Sequence, residues 1–396
     1  MRIAHLADVH LGFRQYHRLN AQGINQREAD VASAFRAAID DVIAAKPHLV
    51  VIAGDLFHSV RPTNPAILHS FNQFRKLRLA LPEVPLIIVA GNHDTPRSVE
   101  TGTILRLFEA LEQVYVVSDE PKTFSFDNLD AAVTCVPYAA WKHDRRPTLL
   151  PKGDSRYHIA VTHGEVAGVL PKNSWSVEYG GAVLEPAELH ADRWDYIALG
   201  HFHVAHMVRD NAWYAGALEY VTPNPWGELK DEAREGRQGA KGWLLVELSS
   251  GTPKVEFRPI QLARHFFDLA PVQGAGLSAD DLNVAIAERI SGLRGGVADQ
   301  VVRQVVYDVQ RAASRDLDHA AVREIKARAL HYHLDLRRPP PTGPIGIAAE
   351  GKRQTLRELL ADFLERRPLE ASIDRRELVE LASTYMDRVD HIDEGS

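Results

Sequence analysis

The stretch His48-Leu-Val-Val-Ile-Ala-Gly-Asp-Leu-Phe-His58 limits the folds open to this chain. Leu49 to Ala53 form a short apolar run, rich in β-branching, which stops at Gly54 and then at a carboxylate, Asp55. Such a run reads as a buried strand. A charge directly after it needs compensation, because an unpaired buried carboxylate is costly. A turn or helix-cap aspartate is the plain explanation. A metal ligand at the carboxyl end of a sheet is the sharper one. Repetition of the pattern favours the second. Arg2–Ala7 leads into Asp8-Val-His10-Leu-Gly12, and Val84–Ala90 into Gly91-Asn92-His93-Asp94. Tyr157–Thr162 leads into His163-Gly164, and Asp195–Leu199 into Gly200-His201-Phe202-His203. Asp8 and His10 are two apart, so on an extended chain they point the same way. Any one of these histidines reads more readily as structural. Asp8, His10, Asp55, Asn92, His93, His163, His201 and His203, each just past an apolar run, together predict a metal site.

Carboxylate, imidazole and amide oxygen suit Mn²⁺, Fe²⁺ or Zn²⁺ better than Ca²⁺. The single cysteine, Cys135, lies inside the apolar run Ala131–Val136, which excludes a structural thiolate zinc site. It also excludes an internal disulfide and favours a reducing compartment, the cytoplasm. The ligands suffice for two ions. A net charge of -7 argues against holding nucleic acid by bulk positive charge. It leaves room for a local basic surface, or for metals that supply the positive charge. The N-terminus does not read as a signal peptide, and no apolar run approaches the roughly 20 residues that cross a bilayer.

Helices are expected at 28–45, 66–79 and about 101–112, alternating with the first strands. Strands then dominate, at 114–118, 123–126, 131–136, 157–162, 195–199, 205–208, 212–215 and 243–248. A basic irregular segment spans 139–156, a long loop 165–190 and a charged loop 227–242. This order predicts an α/β chain of two face-to-face sheets with helices outside. A small strand-helix-strand-helix unit follows at 263–336, its first helix boxed by Ser278 and Asp281. Residues 337–347 carry three consecutive prolines and form a stiff linker. The tail, 348–396, holds two amphipathic helices. One shows Leu356, Leu359, Leu360, Phe363 and Leu364, and the other starts with a box at Asp374 and Glu377.

Asp-x-His, Gly-Asp, Gly-Asn-His-Asp, a lone His-Gly and Gly-His-x-His, in this order, resemble the calcineurin-like metallophosphoesterase superfamily. Leu6-Ala-Asp-Val-His-Leu-Gly12 and Gly54-Asp-Leu-Phe-His-Ser-Val-Arg-Pro62 are similar to the SbcD nuclease family, the bacterial counterparts of the meiotic-recombination-eleven nucleases. The resemblance covers about 1–205. It implies a four-layer α-β-β-α sandwich (1–262), a small α+β capping domain (263–336) and a helical tail that grips the coiled coil of an SbcC-type ABC ATPase. It also implies a homodimer. In the site, Asp8, His10 and His203 would hold one metal, Asn92, His163 and His201 a second, and Asp55 would bridge them. Manganese is the first choice, with iron, zinc or magnesium as alternatives. His93 would be the catalytic histidine and His58 a contact to phosphate or to the metal shell. The reaction would be phosphodiester hydrolysis at DNA ends, exonucleolytic or endonucleolytic, in double-strand-break repair. A phosphatase or phosphodiesterase acting on something other than DNA is the alternative, and a non-catalytic scaffold a distant third. Phe202 stands where the family often has an aliphatic residue, a packing change.

Arg14, Arg18, Arg61 and Arg97 are candidates for DNA phosphate contact, as are Arg145 and Arg146, with a solvated surface the bland alternative for each. Trp175, Tyr179, Trp213 and Trp226 can stack on bases, although burial is the commoner fate of such rings.

Overall fold

The computed structural model describes residues 1–96, 102–143, 145–169, 181–249 and 251–339, and in the tail residues 360, 363–364, 374–375 and 377–381. Along the chain run β1 (Arg2–Leu6), α1 (Gln26–Ala45), β2 (Leu49–Ala53), α2 (Asn64–Ala80), β3 (Leu86–Val89) and β4 (Val114–Val117). Next come β5 (Lys122–Phe126), β6 (Ala131–Val136), α3 (Tyr138–Trp141), β7 (Tyr157–His163), β8 (Glu165–Val166) and β9 (Val183–Leu184). Then follow β10 (Tyr196–Gly200), β11 (His206–Arg209), β12 (Ala212–Tyr214), α4 (Pro225–Arg234), β13 (Gly242–Glu247) and β14 (Lys254–Pro259).

The described residues form two six-stranded sheets, β14-β13-β1-β2-β3-β4 and β11-β12-β10-β7-β6-β5. In the first, β1 to β4 are parallel, and β13 and β14 add an antiparallel edge. Strand alternation sorts its side chains into two cores. Val50, Ile52 and Ile88 meet Phe35 and Ile39 of α1 and Phe74 of α2. Val51, Ile87 and Val89 meet Val133, Ile159 and Val161 of the second sheet. Buried on both faces, β2 has to be apolar throughout, and each fully buried Val or Ile contributes about 1.5–3 kcal/mol. The outer face of the second sheet is covered by Trp141 of α3 and by Leu189 and Trp194, on or beside short 3-10 turns. The expected α-β-β-α layering is present, with a fourth layer built from single turns rather than long helices.

Several local expectations need correction. The long loop expected at 165–190 carries β8 and β9, paired in parallel, and the irregular segment expected at 139–156 begins within α3. The helix expected at about 101–112 is a 3-10 helix, Ile104–Ala110, started by the Thr103 hydroxyl. Strand β14 was not anticipated, although Lys254-Val-Glu-Phe-Arg alternates as an edge strand should. The expected loop at 227–242 begins with α4, whose buried face carries Glu228, Asp231 and Glu232 beside Trp226 and Leu229. A helix that turns acids inward lacks the apolar period by which a helix is recognised.

Beyond β14 lie β15 (Phe266–Asp268), β16 (Val272–Gln273), α5 (Ala279–Ser291), β17 (Val301–Tyr307), α6 (Arg311–Arg315), α7 (His319–Arg328) and β18 (His331–Leu336). Their four strands form a parallel sheet centred on β17. Helix α5 is capped by reciprocal bonds between Ser278 and Asp281. Large and small sheets belong to one compact unit, Met1–Arg338, and Pro339–Ser396 form a second. Within the tail, Leu360, Phe363 and Leu364 are helical, and the Asp374 carboxylate accepts the Glu377 N–H at 3.1 Å. Leu356 and Leu359 lie outside the described residues, as do Arg97, Trp175 and Tyr179. No described helix is long and apolar enough to cross a membrane.

Candidate metal centre

The segments after β1 and β2 run side by side and carry the first ligand candidates. Asp8 N–H donates to Gly54 O at 3.1 Å, His10 N–H to Asp55 O at 2.9 Å, and His58 N–H to Leu11 O at 3.0 Å. Asp8, His10 and Asp55 all adopt left-handed backbone, at φ 49°, 52° and 50°, and His201 sits at φ 110°. Non-glycine residues held there cost of order 1–3 kcal/mol each, and such strain gathers at functional sites. The loop after β10 locks onto the first pair, since His201 N–H donates to both Asp8 carboxylate oxygens at 3.0 and 3.1 Å. The loop after β3 locks onto the second, since His93 N–H donates to Asp55 Oδ1 at 2.8 Å.

Two buried clusters result, each with its donor atoms within 4.8 Å of one another: Asp8, His10 and His203, and Asp55, His163 and His201. Asp55 faces both. Its Oδ2 lies 3.2 Å from His163 Nε2 and 3.8 Å from His10 Nε2. Asn92 joins the second cluster, its Oδ1 being 2.9 Å from His163 Nε2 and 3.2 Å from His201 Nδ1. All eight ligand and histidine candidates from the strand ends therefore meet in one place, His93 included.

Metal ions fit this donor set. His163 Nδ1 lies 2.9 Å from the Ala53 carbonyl, so it carries the proton. Nε2 then holds a lone pair, facing two oxygens at 2.9 and 3.2 Å. Only a second proton or a cation relieves that crowding of electron pairs. The charges agree. Burial pushes Asp8 up to about 7, against the pull of His163 and His203. Burial would also raise Asp55, but His163 and then His10 and His93 hold it far below the ordinary carboxylate range. Burial would lower His163, yet Asp55 and Asp8 bring it up to about 9. Acids and imidazoles are thus sharing protons where a divalent cation would sit.

Glycines make the room. Gly54, at φ 93°, would place a Cβ 2.0 Å from His163 Nδ1, and Gly91 would place one 2.1 Å from Asp55 Oδ1 and 2.6 Å from its backbone nitrogen. Asp94, unassigned by sequence reasoning, ties the loops together. It accepts the N–H groups of Leu56, Phe57 and Gly91 at 3.1, 3.0 and 3.2 Å. Burial and the Asp55 charge push it up to about 7 despite those bonds.

His93 and His58 stand at the mouth, half-buried, with rings stacked at 5.1 Å. His93 Nδ1 lies 2.7 Å from the His58 carbonyl and donates to it, which directs Nε2 to other work. Both rings line an open groove of about 880 Å³, whose walls include Tyr138, Lys142, His143 and Glu120. None of the described arginine candidates lines that groove. Arg14 pairs with Glu28 at 2.7 Å, and Arg61 is exposed. Arg18 donates to the Ala327 and Ala329 carbonyls at 2.8 and 2.9 Å, at the end of α7. Of the candidate stacking rings, Trp226 is buried under Arg303 and Trp213 is half-buried in β12.

Residues 1–205, of 396, match the family model of the calcineurin-like phosphoesterases. The chain belongs to that family. This phosphoesterase is similar to the DNA double-strand break repair protein Mre11 of Sulfolobus acidocaldarius, 24% identical over 65% of this chain and 63% of that one. It is also similar to the protein of the same name from Methanocaldococcus jannaschii, 29% identical over 63% of each chain. The Halobacterium salinarum protein of that name is 30% identical over 63% of this chain and 57% of its own. The phosphoesterase thus spans less than two thirds of the length of these curated relatives.

Proposed function

We propose that this phosphoesterase is a two-metal DNA nuclease, manganese-dependent, that hydrolyses phosphodiesters at DNA ends during double-strand-break repair. The observation that carries the reading is one carboxylate oxygen, Asp55 Oδ2, facing both buried clusters. In this reading Asp8, His10 and His203 would hold one ion, Asn92, His163 and His201 would hold the other, and Asp55 would serve both. Bound there, such a pair lowers the pKa of water and neutralises phosphate charge, which suits an acidic chain with a polyanionic substrate. His93 keeps its Nδ1 proton on the His58 carbonyl and offers Nε2 to the leaving oxygen as acid or charge stabiliser. His58, stacked on His93, holds that ring at the groove and contacts phosphate. Lys142 and His143 along the groove, with Arg14 and Arg61 as outer contacts, draw the strand in. The names of the relatives support DNA as substrate. The tail helices beyond the proline linker are the proposed seat of an SbcC-type ATPase, and the active form is a cytoplasmic homodimer.

The test sets a single-stranded oligonucleotide with Mn²⁺ against phosphotyrosine and cyclic-nucleotide substrates. Oligonucleotide cleavage is expected, and turnover confined to the small substrates would replace this reading with a phosphatase. His93→Gln should keep Mn²⁺ binding, measured by calorimetry, while cleavage falls roughly 10²–10⁴-fold. Full cleavage by that variant would remove His93 from the chemistry.

A further inference from the structure

Behind His203 lies a buried charge cluster that neither the motifs nor the proposed reaction accounts for. Helix α4 turns Glu228 inward, and β13 begins one residue after Lys241; the two are 0% and 2% exposed. Lys241 Nζ pairs with Glu228 and also donates to the His203 carbonyl at 3.0 Å. Glu228 Oε1 lies 3.9 Å from His203 Nδ1 and accepts the Thr222 hydroxyl at 2.7 Å. One lysine thus holds both the backbone of His203 and the carboxylate that faces its ring. Burying these charges is expensive unless each is matched. Lys241 is matched twice, with Glu232 at 3.0 Å as its second partner. The Lys241 ammonium, in contact with Glu228, supports the charge on that buried carboxylate.

We infer that Glu228 and Lys241 are positioning residues for His203, fixing its ring so that Nδ1 carries the proton and Nε2 presents a lone pair to Asp8 and His10. A fixed negative charge beside Nδ1 stabilises the N–H dipole there and raises the basicity of the other nitrogen. The lysine removes the remaining freedom by anchoring the main chain. The inference rests on reading Asp8, His10 and His203 as a metal set, and it assigns a task to α4, an element with no motif of its own.

The experiment uses the whole chain. Glu228→Gln keeps the shape and removes the charge, and Mn²⁺ affinity by calorimetry should fall about 10–100-fold, as for other partners of a ligating histidine. Glu219→Gln breaks an ion pair of equal burial, to Arg27 at 3.0 Å, and serves as the control for general destabilisation. It should lower the melting temperature and leave Mn²⁺ affinity near that of the parent. Equal affinity losses in the two variants, or none in Glu228→Gln, would overturn the positioning role. Should Glu228→Gln not fold, nitrogen-15 spectra of the unsubstituted metal-free protein decide, with the His203 signals identified by their loss in His203→Asn. A neutral ring protonated at Nδ1 supports the inference, and one protonated at Nε2 sinks it. A parent protein that binds no divalent cation while His203 is protonated at Nδ1 would instead sink the metal reading and leave the ring's orientation standing.

Discussion

At the scale of single residues, the site depends on charges that only each other, or a cation, can balance. Asp55 is the extreme case, because one of its oxygens serves both clusters and the other holds the His93 backbone. Asp55→Asn should therefore empty both positions. Metal analysis should find less than one ion per chain, with a fall in affinity beyond the ~10–100-fold typical of a ligand's outer partner; two retained ions would refute the bridging role. His5 offers a separate test, away from the ligands. It is fully buried in β1, with Nδ1 2.9 Å from the Tyr196 hydroxyl, and burial lowers its pKa to about 3. The unfolded chain takes up a proton near pH 6.5 that the folded chain refuses. The stability His5 contributes is whole above about pH 6.5 and drains away as pH falls toward 3, by at most ~1.4 kcal/mol per unit. His5→Gln should flatten that part of a urea-midpoint profile, and an unchanged acid slope would show that other groups set it.

At the scale of elements, most of the ligands are placed by what happens in the two or three residues after a strand, and His163 closes β7 itself. Left-handed turns at Asp8, His10 and Asp55 fold their side chains back over the strand ends, and glycines let neighbouring loops close in. Gly91→Ala is the sharpest test, since its Cβ would meet both the carboxylate and the backbone nitrogen of Asp55. The strand ends would have to part by roughly an ångström, a misplacement that costs on the order of 10²-fold in rate. Oligonucleotide cleavage should fall by that factor while far-ultraviolet dichroism stays unchanged. Parent-like cleavage would mean the loops are looser than their hydrogen bonds imply.

At the scale of the whole molecule, the compact unit joins its small parallel sheet to the large sandwich through a buried apolar seam, with Tyr220, Trp226 and Leu229 against Phe266, Val301 and Leu330, and through polar contacts beside it. Arg264 bonds Asp30 of α1 at 2.8 Å and the Asp299 carbonyl at 2.9 Å. Arg27, wholly buried, shares Asp30 and Glu219 and reaches the Tyr220 carbonyl at 2.9 Å. Tyr16 stacks on His331 at 4.0 Å beside the Arg18 contacts to α7. Arg264→Ala removes charge-assisted bonds but leaves Asp30 its partner Arg27, so a stability loss of about 1.5–3 kcal/mol is expected. Hydrogen exchange should quicken across β15 to β18 before the large sheets respond. Uniform exchange throughout would mean the two sheets open as one.

The sequence alone was enough for the ligand-bearing strands and the identity of the polar groups at their ends, though not for β8, β9 or β14. Apolar runs such as Leu49–Ala53 declare themselves locally; Asp8 and His163 follow such runs directly, and Asp55 follows after one glycine. What the chain could not declare is which groups share a point in space. That Asp55 Oδ2 faces His10 and His163 together depends on loops from three strands in two sheets. The inward charges of α4 were hidden for a related reason. Acidic residues on a helix read as solvated, and only the tertiary contact of Glu228 with Lys241 and His203 turns them into part of the interior. Arg18 was legible as basic but not as bound, because its acceptors are backbone carbonyls some 310 residues further on. Local composition determines the elements, and desolvation, which requires the assembled fold, determines which charges must find partners.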